Sequence, residues 1–254
     1  MDYKEFLNSE YIINSYKKIE YLKRDFPVNH GFVHINHVIE NAKEISKKLG
    51  FSPNERELLL IAATFHDTGY LMGRDEHAKN GAILTLGYLT ENSDLELEDI
   101  KRICKAIASH GGFNKEDYLD NVSMGLILAD KMDFVKTRYD KYLCSYVEKY
   151  KPFLEIDAVK LKKIGDGYEV VIGSADDKLE EKIIDRSIYK KLNEIIDNIN
   201  NYTNYHIDLK FASNNANPDI KLYTTVWSFF YILFTFNFYT GTYFNCVIHV
   251  FFDW

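Results

Sequence analysis

Cysteine is scarce in this 254-residue chain: the three present, Cys104, Cys144 and Cys246, are odd in number, far apart and never spaced Cys-x-x-Cys. That pattern argues against a disulfide framework and a structural zinc knuckle, and a reducing, cytoplasmic compartment is expected. Proline and glycine are also few, at 4 and 13, which removes collagen-like and low-complexity readings. No basic block stands out. The 31 Lys and Arg against 38 Asp and Glu give a net charge of −7, so duplex nucleic acid is not an expected partner. The first six residues carry Asp2 and Glu5 where a signal peptide has a basic region and then an apolar stretch, so no export signal is expected there.

What is present is helical periodicity. From Asp2 to about Ala158 apolar residues recur at three and four, broken at Pro27, Pro53, Gly111-Gly112 and Pro152. The spacing predicts helices over about 34–49, 54–69, 76–91, 97–110, 117–134 and 136–150. Beyond Pro152 the pattern alternates through Ile164, turns at Gly165-Asp166-Gly167 and alternates again to Ile172, which reads as a β-hairpin. A helix over about 176–200 and a short strand near 205–211 follow. The expected architecture is therefore mainly α: a helical bundle over 1–152, a small α+β accessory region over 153–212, and a tail over 213–254.

The tail is a different material. Between Lys221 and Asp253 lie 31 residues with no formal charge beyond His249, and residues 222–254 hold 14 of the 38 aromatics. That length could span a bilayer, which takes about 20 apolar residues, but Thr, Asn and Ser dilute it outside Val226 to Phe236. Three readings stay open: membrane contact through residues 222–252, a segment packed on the domain or on a partner, and a non-native reading frame in AT-rich coding sequence.

Six of the eight histidines precede residue 111, and several fall on the apolar stripe of a predicted helix. His34 aligns with Val38, Ala42, Ile45 and Leu49; His66 shares a face with Leu59, Ala62 and Ala63, with Asp67 turned by about 100°. His77 aligns with Gly81, Leu84 and Tyr88, His110 with Ile100, Ile103 and Ile107, and Asp130 interrupts the apolar run Leu126 to Ala129. His30 and His37 lie off the stripe. One histidine on an apolar face is usually a satisfied core residue. Burying four imidazoles and two carboxylates with few cations nearby would cost several kcal/mol per ionised group, so a shared divalent metal is expected. Nitrogen and oxygen donors without thiolate suit Fe or Mn first, with Co, Ni and Zn open.

The ordered set His34-x-x-x-Val38-x-x-x-Ala42, the dipeptide His66-Asp67 ending an apolar helix, and Ala129-Asp130-Lys131 resembles the HD-domain metal-dependent phosphohydrolases, over about residues 28–140. The resemblance implies that His34, His66, Asp67 and Asp130 hold one metal. His77 and His110 stand where subgroups with two metals add two histidines, which implies a dinuclear site bridged by Asp67. No Gly-Tyr-Pro follows the dipeptide region, so the cyclic-di-GMP phosphodiesterase branch is not matched, and Thr68-Gly69-Tyr70 lacks the acidic pair of the ppGpp hydrolases. His77 and His110 separate the chain from the mononuclear nucleotidase branch. The ligand pattern is similar to that of small dinuclear proteins acting on dinucleoside polyphosphates, without transferring that substrate.

The expected chemistry is hydrolysis of a phosphate ester or anhydride, in a nucleotide or a related small phosphorylated metabolite, by metal-activated water. Asp67 and Lys131 are the expected catalytic residues, with Lys131 as the first cation for developing phosphoryl charge and Arg74 and Arg138 as further substrate contacts. Beside those roles stand ordinary ones: a solvated or ion-paired Lys131, and surface ion pairs for Arg74 and Arg138. Asp133, three residues past Asp130, reads as a decoy for it. Two other classes stay open, an HD-fold di-iron oxygenase and a regulatory module that binds a nucleotide without turnover. A homodimer contact through 153–212 is also open.

Overall fold

The computed structural model describes residues 2–213. Among them, eight α-helices joined by short 3-10 turns precede a three-stranded sheet, and two more lie between its second and third strands. Helices α1 (Tyr3–Leu7) and α2 (Glu10–Lys23) start on the caps Asp2 and Ser9. Helix α3 (Phe32–Lys48) and helix α4 (Pro53–Phe65) follow, α4 opening on a full capping box between Ser52 and Glu55 with Pro53 at its first position. Next come α5 (His77–Asn92), α6 (Leu97–Ser109) and α7 (Asn121–Lys131).

Besides the helix expected over 54–69, which ends at Phe65, three predicted helices are shorter than their periodicity, and local capping explains two of them. Asp120 is extended and its carboxylate accepts the Ser123 N–H, so the predicted 117–134 helix becomes a 3-10 turn at Lys115–Tyr118 and then α7. Asp140 does the same for Leu143, leaving α8 (Lys141–Ser145) between 3-10 turns at Lys136–Arg138 and Glu148–Glu155 in place of a helix over 136–150. The third, over 176–200, splits into α9 (Leu179–Ile183) and α10 (Ser187–Tyr202) where Arg186 turns extended.

Helices α4 and α7 are the centre of the bundle. Every residue from Leu58 to Phe65 and from Val122 to Asp130 is buried, because α3 and α6 pack against both. Their starts are tied together: Glu55 Oε1 accepts from Asn121 Nδ2 at 2.9 Å and pairs with Arg102, which also pairs with Asp120. Parallel helices held at their N-termini in this way deliver their C-termini to the opposite end of the bundle.

The hairpin is present as predicted. Strand β1 (Ile156–Ile164) pairs antiparallel with β2 (Gly167–Ser174) across a turn in which Gly165 takes φ +56°, a left-handed conformation that glycine adopts without penalty. Strand β3 (Ile207–Ser213) then adds parallel to β2, in the order β1-β2-β3. Parallel neighbours need a crossover, and α9 and α10 supply it. The apolar stripe Leu192, Ile195, Ile196 and Ile199 of α10 is buried, and α10 packs on α7, while Tyr168 of β2 donates its hydroxyl to Lys48 O at the end of α3 (3.1 Å). One apolar cluster therefore runs from Tyr3 to Ile207 through bundle and sheet alike.

No helix among the described residues is long and apolar enough to cross a membrane. The tail readings fall on residues beyond 213, outside the described residues.

Candidate metal centre

Five helix ends meet where α4 and α7 terminate. His66 caps the C-terminus of α4 and Asp67 follows it; His110 caps the C-terminus of α6; Asp130 lies at the end of α7. His34 and His77 come from the first turns of α3 and α5. His77 reaches the others because of two glycines. A Cβ on Gly69 would lie 1.9 Å from His77 O, and one on Gly81 would lie 3.0 Å from His66 O. Only residues without a Cβ let α5 approach the turn after Asp67 this closely.

Three groups of donor atoms result, each with all its atoms within 4.8 Å of one another: His34, His66 and Asp130; Asp67, His77 and His110; and His30, His34 and Asp67. Every residue read from the sequence as a metal ligand is in this cluster. His34 Nε2 lies 3.3 Å from both Asp67 Oδ2 and Asp130 Oδ1 and 3.2 Å from His66 Nε2. At the other end His77 Nε2 and His110 Nε2 are 3.1 Å apart, with Asp67 Oδ1 at 3.8 and 3.9 Å. Asp67 Oδ2 thus faces the His34 end, while its Oδ1 lies between the ends, 3.6 Å from His66 Nε2 as well. Neighbouring donors on one divalent ion, with bonds of about 2.0–2.2 Å, have spacings of this size.

The protons on these rings are located by what their Nδ1 atoms touch. Nδ1 of His66, His77 and His110 lies 2.9, 3.0 and 2.7 Å from the main-chain oxygens of Ala63, Arg74 and Ile107. A carbonyl only accepts, so each Nδ1 carries a proton and each Nε2 is left to face the centre. His77 and His110 turn their Nε2 atoms to each other across 3.1 Å, and burial keeps the His110 ring neutral by lowering its pKa to about 3. A buried acceptor such as His110 Nε2 is costly unless a partner joins it, and a cation shared with His77 is the fit expected of a metal site.

His34 is held differently. Its Nδ1 donates to Asp133 Oδ2 at 2.6 Å, and His37 Nδ1 meets the other oxygen at 2.8 Å. The Arg138 guanidinium lies 3.6 Å from Asp133 Oδ2 and 3.4 Å from His34 Nε2. Burial would raise the Asp133 carboxyl, but hydrogen bonds from His34 and His37 hold it well below the usual carboxylate range. For His34, burial and Arg138 oppose the charged ring, yet hydrogen bonds to Asp130, Asp133 and Asp67 raise it to about 10. Burial pushes His30 down to about 4, His110 down to about 3, and His66 below its ordinary value. The rings of His66, His30 and His34 keep Asp67 well below the carboxylate range against the effect of its burial, and Lys131 and His34 do the same for Asp130.

Beside the centre opens a cleft of about 410 Å³ whose walls include His30, Tyr70, Arg74 and Arg138. Tyr70 stacks on the His77 ring, with centroids 4.3 Å apart and planes 18° from parallel. Arg74 is exposed on the cleft wall, as a substrate contact would be. Arg138 forms an ion pair, but a buried one and not the surface pair expected: it is 7% exposed, pairs with Asp133, and bonds the main-chain oxygens of Asn29 and Asp133. Lys131 pairs with Asp130 and does not line the cleft, since its helix position is turned about 100° from its neighbour's. Asp133 is no decoy; at 1% exposure it fixes the His34 ring.

His30 joins the centre unannounced, its Nδ1 3.2 Å from Asp67 Oδ2. It precedes α3 in an irregular segment, where helical periodicity carries no signal. Asp133 had one: His34 and His37 share one edge of α3 and both need an acceptor.

The family model HD domain matches residues 31–135, a span that holds His34, His66, Asp67, His77, His110, Asp130 and Asp133. No curated protein matches the chain. Among solved structures, a predicted HD superfamily hydrolase from an uncultured Thermotogales bacterium is similar at 20% identity, covering 61% of this chain and 93% of that one, with a TM-score of 0.40.

Proposed function

We propose that this chain, an HD-domain family member through its residues 31–135, hydrolyses a phosphate ester or anhydride of a nucleotide or related small metabolite with metal-activated water. The observation that carries the reading is the convergence of four imidazole Nε2 atoms and two carboxylates, with the other ring nitrogen of each histidine already committed elsewhere. His34, His66 and Asp130 would hold one divalent ion, His77 and His110 a second, and Asp67 would serve both. Such ions would lower the pKa of a bound water towards about 7 and neutralise charge on phosphoryl oxygens. Nitrogen and oxygen donors without sulfur favour iron or manganese.

The chain's own residues supply orientation and electrostatics. Asp133 and three main-chain carbonyls fix the imidazole rings, the outer support that ligand geometry depends on. Lys131 pairs with the Asp130 carboxylate and is not among the residues that line the cleft. Arg138, fixed by two main-chain oxygens and bordering both His34 and the cleft, is placed to accept a phosphoryl oxygen in a water-poor setting, where a charged hydrogen bond is strongest. Arg74 closes the outer side. The buried rings of His34, His66 and His110 form a floor that excludes bulk water.

Phosphate release from a panel of nucleotides and phosphate monoesters, with iron or manganese added back to the full chain, tests the reading under air and under nitrogen. Metal-dependent release at equal rates in both atmospheres is expected. Turnover that requires oxygen would replace the reading with an oxygenase, and binding of nucleotides without release would replace it with a regulatory module.

A further inference from the structure

The cleft beside the metal centre extends well past the HD-domain match. Its far wall is built from residues 149–153 and 185–188, the 3-10 turn before β1 and the junction of α9 and α10. Lys149 and Arg186 from these segments join Lys23, Arg74 and Arg138, so five cations line one cavity. The single carboxylate among the lining residues, Asp185, is engaged by Lys190 at 3.0 Å.

Like charges gathered in one concavity repel unless an anion occupies it, and low-dielectric walls strengthen both effects. Lys23 shows this crowding: its ammonium sits 4.6 Å from the Tyr70 ring centroid, and burial together with the Arg74 charge lowers its pKa. No ion pair joins Lys23, Arg74, Lys149 or Arg186 to a carboxylate among the described residues. Apart from Arg186 Nε, which donates to Lys182 O at 3.2 Å, their donors therefore remain available to a ligand. At about 410 Å³ the cavity falls in the range of about 300–1,000 Å³ that holds a whole small molecule. Arg138, 3.4 Å from His34 Nε2, is the cation at the metal end, and the other four line the same cavity.

We infer that Lys149 and Arg186, with Lys23, form a second anion subsite that takes a further phosphate of the molecule bound at the metal centre. The substrate class that follows is one with two or more phosphate groups in a chain or at two ends, and the accessory region after residue 148 sets that preference. The inference rests on the metal-dependent phosphohydrolase reading.

The test is calorimetric titration of inorganic tripolyphosphate and of orthophosphate into the full chain, once metal-free and once with manganese at a fixed free concentration. The Lys149→Ala/Arg186→Ala double variant is expected to weaken tripolyphosphate by about tenfold or more in both states. Orthophosphate binding to the loaded protein should stay within about twofold of wild type, since that ion fits the metal end alone. The Lys149→Arg/Arg186→Lys double variant should restore most of the lost affinity, because it returns both charges. Tripolyphosphate affinity unchanged in the alanine variant would overturn the subsite and leave the metal-centre reading standing. Loss of tripolyphosphate binding together with no orthophosphate binding to the loaded protein would uphold the subsite and overturn the metal-centre reading.

Discussion

At one end of the donor cluster His34 gives its Nδ1 proton to a buried carboxylate that also holds His37 and faces Arg138; at the other end His77 and His110 give theirs to main-chain carbonyls. The first arrangement ties α3 to the segment after α7 through charged groups 99 residues apart in sequence. The second needs nothing beyond the free carbonyls at a helix C-terminus and in a turn. The difference extends to exposure, since His34, His66 and Asp130 are all buried while the side chain of His77 is 26% exposed. It extends to charge as well. With the ring of His34 raised to about 10 and that of His110 lowered to about 3, the metal-free centre at neutral pH keeps His34 protonated at one end and His110 neutral at the other. The first is thus the buried end and the second, through His77 alone since His110 is buried, the open end.

The largest break of that contrast is Asp67→Ala, because Asp67 faces both ends. It should lower bound metal from about two per chain to about zero and reduce phosphate release by about 1,000-fold or more, read by elemental mass spectrometry and rate assay. Asp133→Ala should act on one end only. It leaves Arg138 and two histidines without their carboxylate, at a stability cost of about 3–5 kcal/mol in denaturant melts, and weakens the buried-end metal by about 10–100-fold while the open end changes less.

Proton competition separates the ends without mutation. A metal entering at His34 displaces a proton at any pH below about 10. Its apparent affinity should therefore rise about tenfold per pH unit from pH 6 to 9. His110, already neutral above about 3, adds no such slope to the open end. Two pH-dependent titrations with distinct slopes are expected, and a common slope would contradict the assignment. The smallest effects come from glycine. Gly69→Ala should cost about 1–3 kcal/mol and loosen the open-end metal, because the new methyl meets His77 O. Gly87→Ala, on the exposed side of α5 with nothing within 4 Å, should instead gain about 0.5–1 kcal/mol.

The same two ends differ in how much of them was legible in the sequence. His34, His66, His77, His110 and Asp130 each put a polar group on an apolar helical stripe, and that local conflict is visible without a fold. Asp67 was visible as the neighbour of His66. The supports were legible only in part, since His34 and His37 call for an acceptor without locating it. Asp133 and Arg138 lie past the end of α7, where periodicity stops, and their burial follows from α3 packing across them. His30 and the far cleft wall, Lys149 and Arg186, depend on contacts between segments distant in sequence. The fold was legible to a similar depth: helix positions followed from spacing, and the hairpin from alternation and Gly165. The breaks at Asp120 and Asp140 came from side-chain capping that competes with helix continuation, and the parallel pairing of β3 with β2 from the crossover through α10.

The most direct test of a two-ended centre is the number of metal ions per chain in wild type and in His110→Ala, by elemental mass spectrometry on full chains purified without chelator or affinity metal. The arrangement of donors predicts about two in the wild type and about one in His110→Ala. Two ions retained in His110→Ala, or none in the wild type after metal is added back, would contradict it.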